Sequence, residues 1–324
     1  MKFLFLMDPM SSLNTAKDTT FSFLLSAAAR GHESYHADAL DLDDDVGELF
    51  VRSAKIGVKR EKRAGGGYDD DWNLQPVERR LVADFDAIFI RKDPPFDAVY
   101  GYTTQLLERV RDRVLVVNDP RGLRDANEKL YALHFPQWTP RTLVSATPEQ
   151  IRDFVRSVGG KAVIKPLDGM GGMGIFLLHD DDKNFSAILE ATIGGSTGRG
   201  KQFCMVQEYL PAAREGDKRI LLIDGQPLGA ILRVPRASDA RANLAVGGTA
   251  VKIDITATER AMIEDLAPRL RRDGLYFVGL DVIGGRLTEV NVTSPTGIQQ
   301  MNKFDGVDYT GRVMEWVEGR VIKR

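Results

Sequence analysis

Short apolar runs alternate with amphipathic stretches through the first third of the chain. KFLFLM at the start reads as a buried strand, and Thr15 to Arg30 carries Phe21, Leu24, Leu25 and Ala28 at helical spacing, with Gly31 placed to cap it. DAIFIRK (86–92) and RVLVVND (113–119) are two more apolar strand cores with a helical pattern between them. Strand, helix, strand in this order predicts a parallel sheet joined by crossover helices. One stretch breaks the pattern: KREKRAGGGYDDDW (59–72) is charged and glycine-rich, and its signs cancel. It predicts a mobile, solvated loop rather than a binding patch.

After Pro140 the character changes. RTLVS, a helix from about Thr147 to Val158, and KAVIKP lead into a glycine-rich loop. Strand patterns then dominate in FCMVQEYL, KRILLID and PLGAILRV. A helix from about Thr256 to Arg272 follows, with Pro268 as a kink point and Gly274 as its stop. LYFVGLDVIGGRLTEVNV holds two strand patterns around Gly284-Gly285, and a last helix spans about Tyr309 to Val321. There is no internal repeat and no low-complexity tract.

A chain of 324 residues, 43% of them apolar, is long enough for two or three packed domains. Its 44 basic and 46 acidic residues give a net charge of -2, which argues against a general nucleic-acid binder. The single Cys204 excludes an internal disulfide framework and a cysteine-based zinc site, and fits a reducing cytosol. The opening MKFLFLMDPM is stopped by Asp8 and Pro9 before it could form a signal peptide, and no segment approaches the roughly 18 apolar residues of a membrane span. The expectation is a soluble, cytoplasmic protein with neither nucleic acid nor membrane as a partner.

The loop Gly169-Met-Gly-Gly-Met-Gly174 fits the dinucleotide fingerprint G-x-G-x-x-G. That motif must leave a strand and open a helix. Here IFLLHDDD follows, which is another strand pattern, so the Rossmann reading fails on its flank. A Walker loop is excluded because no G-K-[ST] follows, and the kinase arrangement lacks H-R-D and D-F-G. Two readings stay open: a flap whose backbone N–H groups lie over phosphates, and a glycine-rich hairpin turn without function. Four glycines in six residues do not decide between them.

The carboxylates of the last hairpin also leave two readings. With a two-residue turn at Gly284-Gly285, Asp281 would face Thr288 and Glu289 would point to the other side of the sheet. With a three-residue loop, Asp281 faces Glu289, and Asn291 lies on the same face. Like charges directly opposed are destabilising, so that second arrangement suggests a Mg²⁺ site completed by phosphate oxygens and water. Lysines, a glycine flap and such a hairpin together describe a nucleotide triphosphate site for phosphoryl transfer.

With these pieces in order, the chain resembles the ATP-grasp superfamily, and within it the prokaryotic glutathione synthetases. The resemblance runs from MDP at Met7 to VNVTSPTGI at Ile298. Its most specific parts are RKDPPFD (91–97), LRDANEKL (123–130), IKPLDGMGG (164–172), GDKRILLIDG (216–225) and LTEVNVTSPTG (287–297). It implies an α/β ATP-grasp fold. An N-terminal parallel α/β (pre-ATP-grasp) domain would span 1–122, and two α+β subdomains would clasp ATP. The central one would be 123–202 with the flap; the C-terminal one, 203–324, would carry the Mg²⁺ hairpin and a lid at 234–249.

The resemblance also implies roles. Lys129, Lys165 and the flap glycines Gly169, Gly171 and Gly172 would contact ATP phosphates. Gln207, Glu208, Tyr209 and Leu210 would read the adenine edge through the backbone, and Asp217 would accept from the nucleotide. Asp281, Glu289 and Asn291 would hold Mg²⁺, or Mn²⁺ in its place. Arg219, Arg233 and Arg241 would serve the substrate and the transferred phosphoryl group; Asn243, Ser294 and Thr296 complete the substrate contacts. Asp18 stands open between a helix-terminal charge complement and a ligand contact. The implied reaction joins γ-glutamylcysteine to glycine through an acyl phosphate, in an enzyme that forms a homotetramer in similar proteins. The chain departs from relatives in the lid stretch ARANL, where a glycine would follow the arginine, and at Gly297, where enterobacterial versions commonly have cysteine. Rival readings are another ATP-grasp ligase, glutamate-adding or joining D-alanines, and a non-catalytic ATP-binding regulator.

Overall fold

The computed structural model describes residues 1–63, 66–169, 171–194, 201–235 and 248–323. Its first sheet has eight strands: β1 (Lys2–Met7), β2 (Glu33–Ala37), β3 (Leu42–Asp45), β4 (Glu48–Lys62), β5 (Tyr68–Leu74), β6 (Glu78–Leu81), β7 (Ala87–Arg91) and β8 (Leu115–Val117). β2, β1, β7 and β8 lie side by side and run parallel, as the strand–helix–strand order predicted. β4 then adds antiparallel to β2. The crossovers are α1 (Thr19–Ala29) and α2 (Ala98–Glu108). α1 starts later than its apolar spacing suggested, because the Asp18 carboxylate accepts from the Phe21 N–H at 2.6 Å and caps it there. Gly31 ends it with φ +76°.

The expected loop at 59–72 is instead a hairpin of β4 and β5. Arg60 faces Asp70 in register and donates to both its oxygens, at 2.6 and 2.8 Å, and Arg63 donates to Asp69 at 2.7 Å. The basic and acidic blocks that cancel along the chain pair across the strands.

The central sheet is antiparallel, in the order β11 (Phe176–His179), β10 (Lys161–Pro166), β12 (Cys204–Glu208), β9 (Thr142–Ser145). α4 (Pro148–Ser157) and α5 (Phe185–Ile193) cover it, and Ile151, Val155, Ile164, Phe185 and Val206 form a core of its own. α3 (Pro120–Asp125) precedes this unit. The third sheet, also antiparallel, runs β15 (Thr249–Lys252), β14 (Gln226–Val234), β13 (Asp217–Ile223), β16 (Phe277–Ile283), β17 (Arg286–Asn291). One face packs on α6 (Ala257–Arg272) through Met262, Leu266 and Leu270. The other meets α7 (Ile298–Asp305) and α8 (Tyr309–Ile322).

The sheets divide after Glu208, since β12 pairs within the central sheet; the 202/203 division expected from the sequence falls one strand early. Similarly, Leu123, Tyr131 and Phe135 share a core with Leu275 and Leu287 of the C-terminal unit. The N- and C-terminal units are joined by Asn118, which is buried at the end of β8. Its amide donates to Phe277 O (2.9 Å) and Val292 O (2.7 Å) and accepts from Tyr276 N (2.8 Å) and Phe277 N (2.7 Å). Among the described residues, no helix is long and apolar enough to cross a membrane.

Candidate active site

A cavity of about 900 Å³ lies between the central and C-terminal sheets. Strand alternation builds its upper wall: Lys161, Val163 and Lys165 of β10 face the cavity, while Ala162 and Ile164 enter the core. Antiparallel pairing of β10 with β11 makes the glycine loop a strand-to-strand flap, and Gly169, Gly171 and Gly172 line the cavity. A side chain on Gly169 would come within 2.7 Å of Pro166 and 3.0 Å of the Met173 carbonyl. Lys165 Nζ stands 3.5 Å from Glu289 on the opposite wall. Lys129 is almost fully buried, and its ammonium donates to Glu128 Oε1 (2.5 Å) and Gly169 O (2.7 Å).

One end of the cavity is closed by Gln207 to Leu210 at the exit of β12. The Gln207 amide donates to Thr142 Oγ1 (3.1 Å), and the Glu208 and Tyr209 N–H groups donate to Arg141 O (3.0 Å) and Lys161 O (3.4 Å). Lys161 Nζ sits 3.9 Å from the centre of the Tyr209 ring.

The lower wall is a charged lattice set by strand register. Arg219 of β13 faces Asp281 of β16, and Asp217 faces Arg233 of β14. Arg219 grips Asp281 with both arms of its fork, at 2.5 and 3.0 Å, and Arg233 reaches Asp281 at 2.9 Å and also binds Asp217. Burial alone would raise the Asp281 carboxyl, but the two guanidiniums hold it well below the usual carboxylate range. Burial pushes Asp217 up to about 7 against the pull of Arg233, and its Oδ1 has no partner.

The hairpin corrects one expectation. Its turn has two residues, Gly284 (φ +56°) and Gly285 (φ +77°), between the paired Ile283 and Arg286. Asp281 nevertheless faces Glu289, because the register slips between Asp281 and Val282 and leaves Thr288 as the extra residue of a bulge. Thr288 Oγ1 donates to Asp281 O at 3.1 Å. Asn291 donates its amide to Gly279 O (3.3 Å), which leaves its own oxygen as a free acceptor. Among the described residues no three His, Cys, Asp or Glu side chains cluster as a metal centre by themselves. Two carboxylates and an amide oxygen on one cavity wall nonetheless fit an oxygen-ligated divalent cation that shares its shell with phosphate.

At the other end, Asp93, Ser294, Pro295 and Thr296 line the cavity, and the Ser294 hydroxyl donates to Asp93. Asp18 does not line it; its carboxylate is the α1 cap, and burial raises its pKa. Arg241, Asn243 and the rest of 236–247, within the 234–249 stretch, lie outside the described residues. Sequence reasoning passed over Glu128, Asp93 and Lys161, all of which line the cavity. Glu128 carried a signal, a carboxylate next to a lysine expected at the phosphates, and Asp93 lies in the RKDPPFD stretch.

Against known families, residues 1–124 match "Prokaryotic glutathione synthetase, N-terminal domain" and residues 128–306 match "Prokaryotic glutathione synthetase, ATP-grasp domain". The chain belongs to the prokaryotic glutathione synthetase family. It is 43% identical over 329 residues to the glutathione synthetase of Synechococcus elongatus, covering 99% of both chains. With that of Gloeobacter violaceus it shares 44% over 324 residues, 98% of this chain and 96% of the relative. The fold is also that of the crystal structure of D-cycloserine synthetase DcsG, with a TM-score of 0.65 at 16% identity, covering 98% and 99% of the two chains. The two prokaryotic glutathione synthetase segments meet between residues 124 and 128, at the end of α3. Gly297, the position expected to differ from enterobacterial members, has φ +121°, a backbone conformation that suits glycine.

Proposed function

We propose that this protein is an ADP-forming ligase that joins γ-glutamylcysteine to glycine with ATP, giving glutathione, ADP and phosphate. The observation that carries the reading is one cavity with two opposed walls. Lys129, Lys165 and the flap glycines lie on one side; Arg219, Arg233, Asp281, Glu289 and Asn291 lie on the other. Gln207, Glu208, Tyr209, Leu210 and Asp217 line the same cavity, and this reading assigns the first four to adenine and Asp217 to the nucleotide.

The cysteinyl carboxylate attacks the γ-phosphorus and ADP leaves; the glycine amine then attacks the acyl carbon and phosphate leaves. Lys129 and Lys165 are assigned to the phosphates, and Arg219 and Arg233, paired with Asp281 and Asp217 in the free protein, supply positive charge beside the substrate and the developing negative charge. Mg²⁺ or Mn²⁺, held by Asp281, Glu289 and Asn291, would neutralise charge at the phosphates. Ser294 and Thr296 flank the substrate end, and Arg241 and Asn243 are assigned to the same task. The acyl phosphate would otherwise hydrolyse, and keeping water from it is the task assigned to the 234–249 stretch as a lid. A homotetramer and a cytoplasmic location belong to this reading, supported by the family resemblance and the single cysteine. ADP release should require γ-glutamylcysteine, and peptide product should appear only with glycine. Equal or faster turnover with glutamate or D-alanine as the acceptor would overturn the assignment.

A further inference from the structure

The phosphate lysine is not free in this structure. The Lys129 ammonium is about 2% exposed and held at two points, the Glu128 carboxylate (2.5 Å) and the Gly169 carbonyl of the flap (2.7 Å). Two residues earlier, the Asn127 side chain donates to Leu167 O at 3.0 Å, also at the base of the flap. Its oxygen accepts from the Lys129 and Leu130 N–H groups, at 3.0 and 3.1 Å, and so fixes the local backbone. Glu128 itself is anchored from the opposite wall, since its carbonyl accepts from Val290 N of β17 at 2.8 Å. Three consecutive residues thus connect the flap on the central sheet to the hairpin on the C-terminal sheet.

We propose that Glu128 is a positioning residue of the phosphate site, holding the Lys129 ammonium under the Gly169 carbonyl so that the flap is tied to the β16–β17 hairpin before nucleotide arrives. The physical need is clear from the surroundings. A buried ammonium bonded only to a carbonyl has no countercharge, and a lysine stem without a fixed partner has many rotamers. The carboxylate answers both. It stands in a wall that also holds Glu289 and Asp281, with Lys165 opposite, and burial together with Glu289 raises its pKa while Lys129 draws it down. Phosphate oxygens would take over the Lys129 donors that Glu128 holds in the free protein, so Glu128 acts through Lys129 and need not touch the reacting atoms.

The inference rests on the ligase reading for its kinetic arm only. In the ligand-free protein, hydrogen exchange in the stretch from Leu167 to Leu177 should quicken in Glu128→Ala and Lys129→Met, and return toward the wild-type rate in Glu128→Gln, whose amide oxygen still accepts from Lys129. In turnover, Glu128→Ala should raise KM for ATP about tenfold, the scale of one charge-assisted hydrogen bond, with kcat changed less than KM. Unchanged flap exchange in both Glu128→Ala and Lys129→Met would overturn the proposal, as would a fall in kcat with KM for ATP unaltered. If Glu128→Ala does not fold, the Lys129→Met exchange decides. A wild-type enzyme that makes no peptide product would refute the ligase reading and leave the exchange result to judge the latch.

Discussion

Asp281 and Glu289 have the same expected role at the cation site, yet the structure embeds them differently, and that difference is measurable without metal. Asp281 is 3% exposed and accepts three short contacts, two from Arg219 and one from Arg233. Asp281→Asn keeps the shape but removes the charge between two buried guanidiniums, and one face of the new amide can only donate toward donors. Removing one partner of a buried ion pair costs about 3–5 kcal/mol. Glu289→Gln also removes one charge, but among the described residues its ion-pair partner is Lys165 alone, at 3.5 Å, and it relieves repulsion with Glu128. Its cost should be under about 1 kcal/mol. Urea unfolding in EDTA, followed by tryptophan fluorescence, separates the two. With a slope of about 3 kcal/mol per molar or more, Asp281→Asn should lower the midpoint by about 1 M and Glu289→Gln by much less. Turnover should fall in both, by at least about a hundredfold in Glu289→Gln. Equal midpoints for the two variants, or a larger loss in Glu289→Gln, would refute the claim that Asp281 is a structural counter-ion as well as a site residue.

Two further outcomes follow from contacts outside the cavity. Hydrogen bonds from Arg30, helped by His32, hold the Glu318 carboxyl down at about 2 against an ordinary 4.5. A depressed carboxylate contributes stability that is full above its ordinary value and lost as pH falls toward the folded one. Glu318→Gln should therefore cost about 1 kcal/mol at pH 7 after solvent screening, and the two proteins should converge as pH falls from 4.5 toward 2 in an acid-unfolding series. Asn118→Ala should destabilise by about 4 kcal/mol or more in chemical unfolding, because it strands two buried carbonyls and two buried N–H groups where β8 meets β16. A loss below about 1 kcal/mol would mean that water replaces the side chain.

Much of the architecture was legible in the residues because it depends on local geometry. Short continuous apolar runs mark β1, β7 and β13, which are buried on both faces, and helical spacing with Gly31 and Gly274 marked the ends of α1 and α6. The flank of the glycine loop was enough to tell a strand-to-strand flap from a dinucleotide turn. Other features depended on partners distant in sequence. The 59–72 stretch reads as a loop along the chain and becomes a hairpin only when Arg60 meets Asp70 across it. β12 reads as the first strand of the C-terminal unit, and only its pairing with β9 and β10 assigns it to the central sheet. Spacing alone tied the Asp281–Glu289 pairing to the length of the turn. Tertiary structure reached the same pairing by another route, a two-residue turn with a bulge at Thr288, because a bulge is set by how two strands twist against their neighbours. Residue types could nominate lysines, arginines and carboxylates for the site. Which guanidinium neutralises which carboxylate was decided by the register of three strands, since buried charge must find its partner across the sheet.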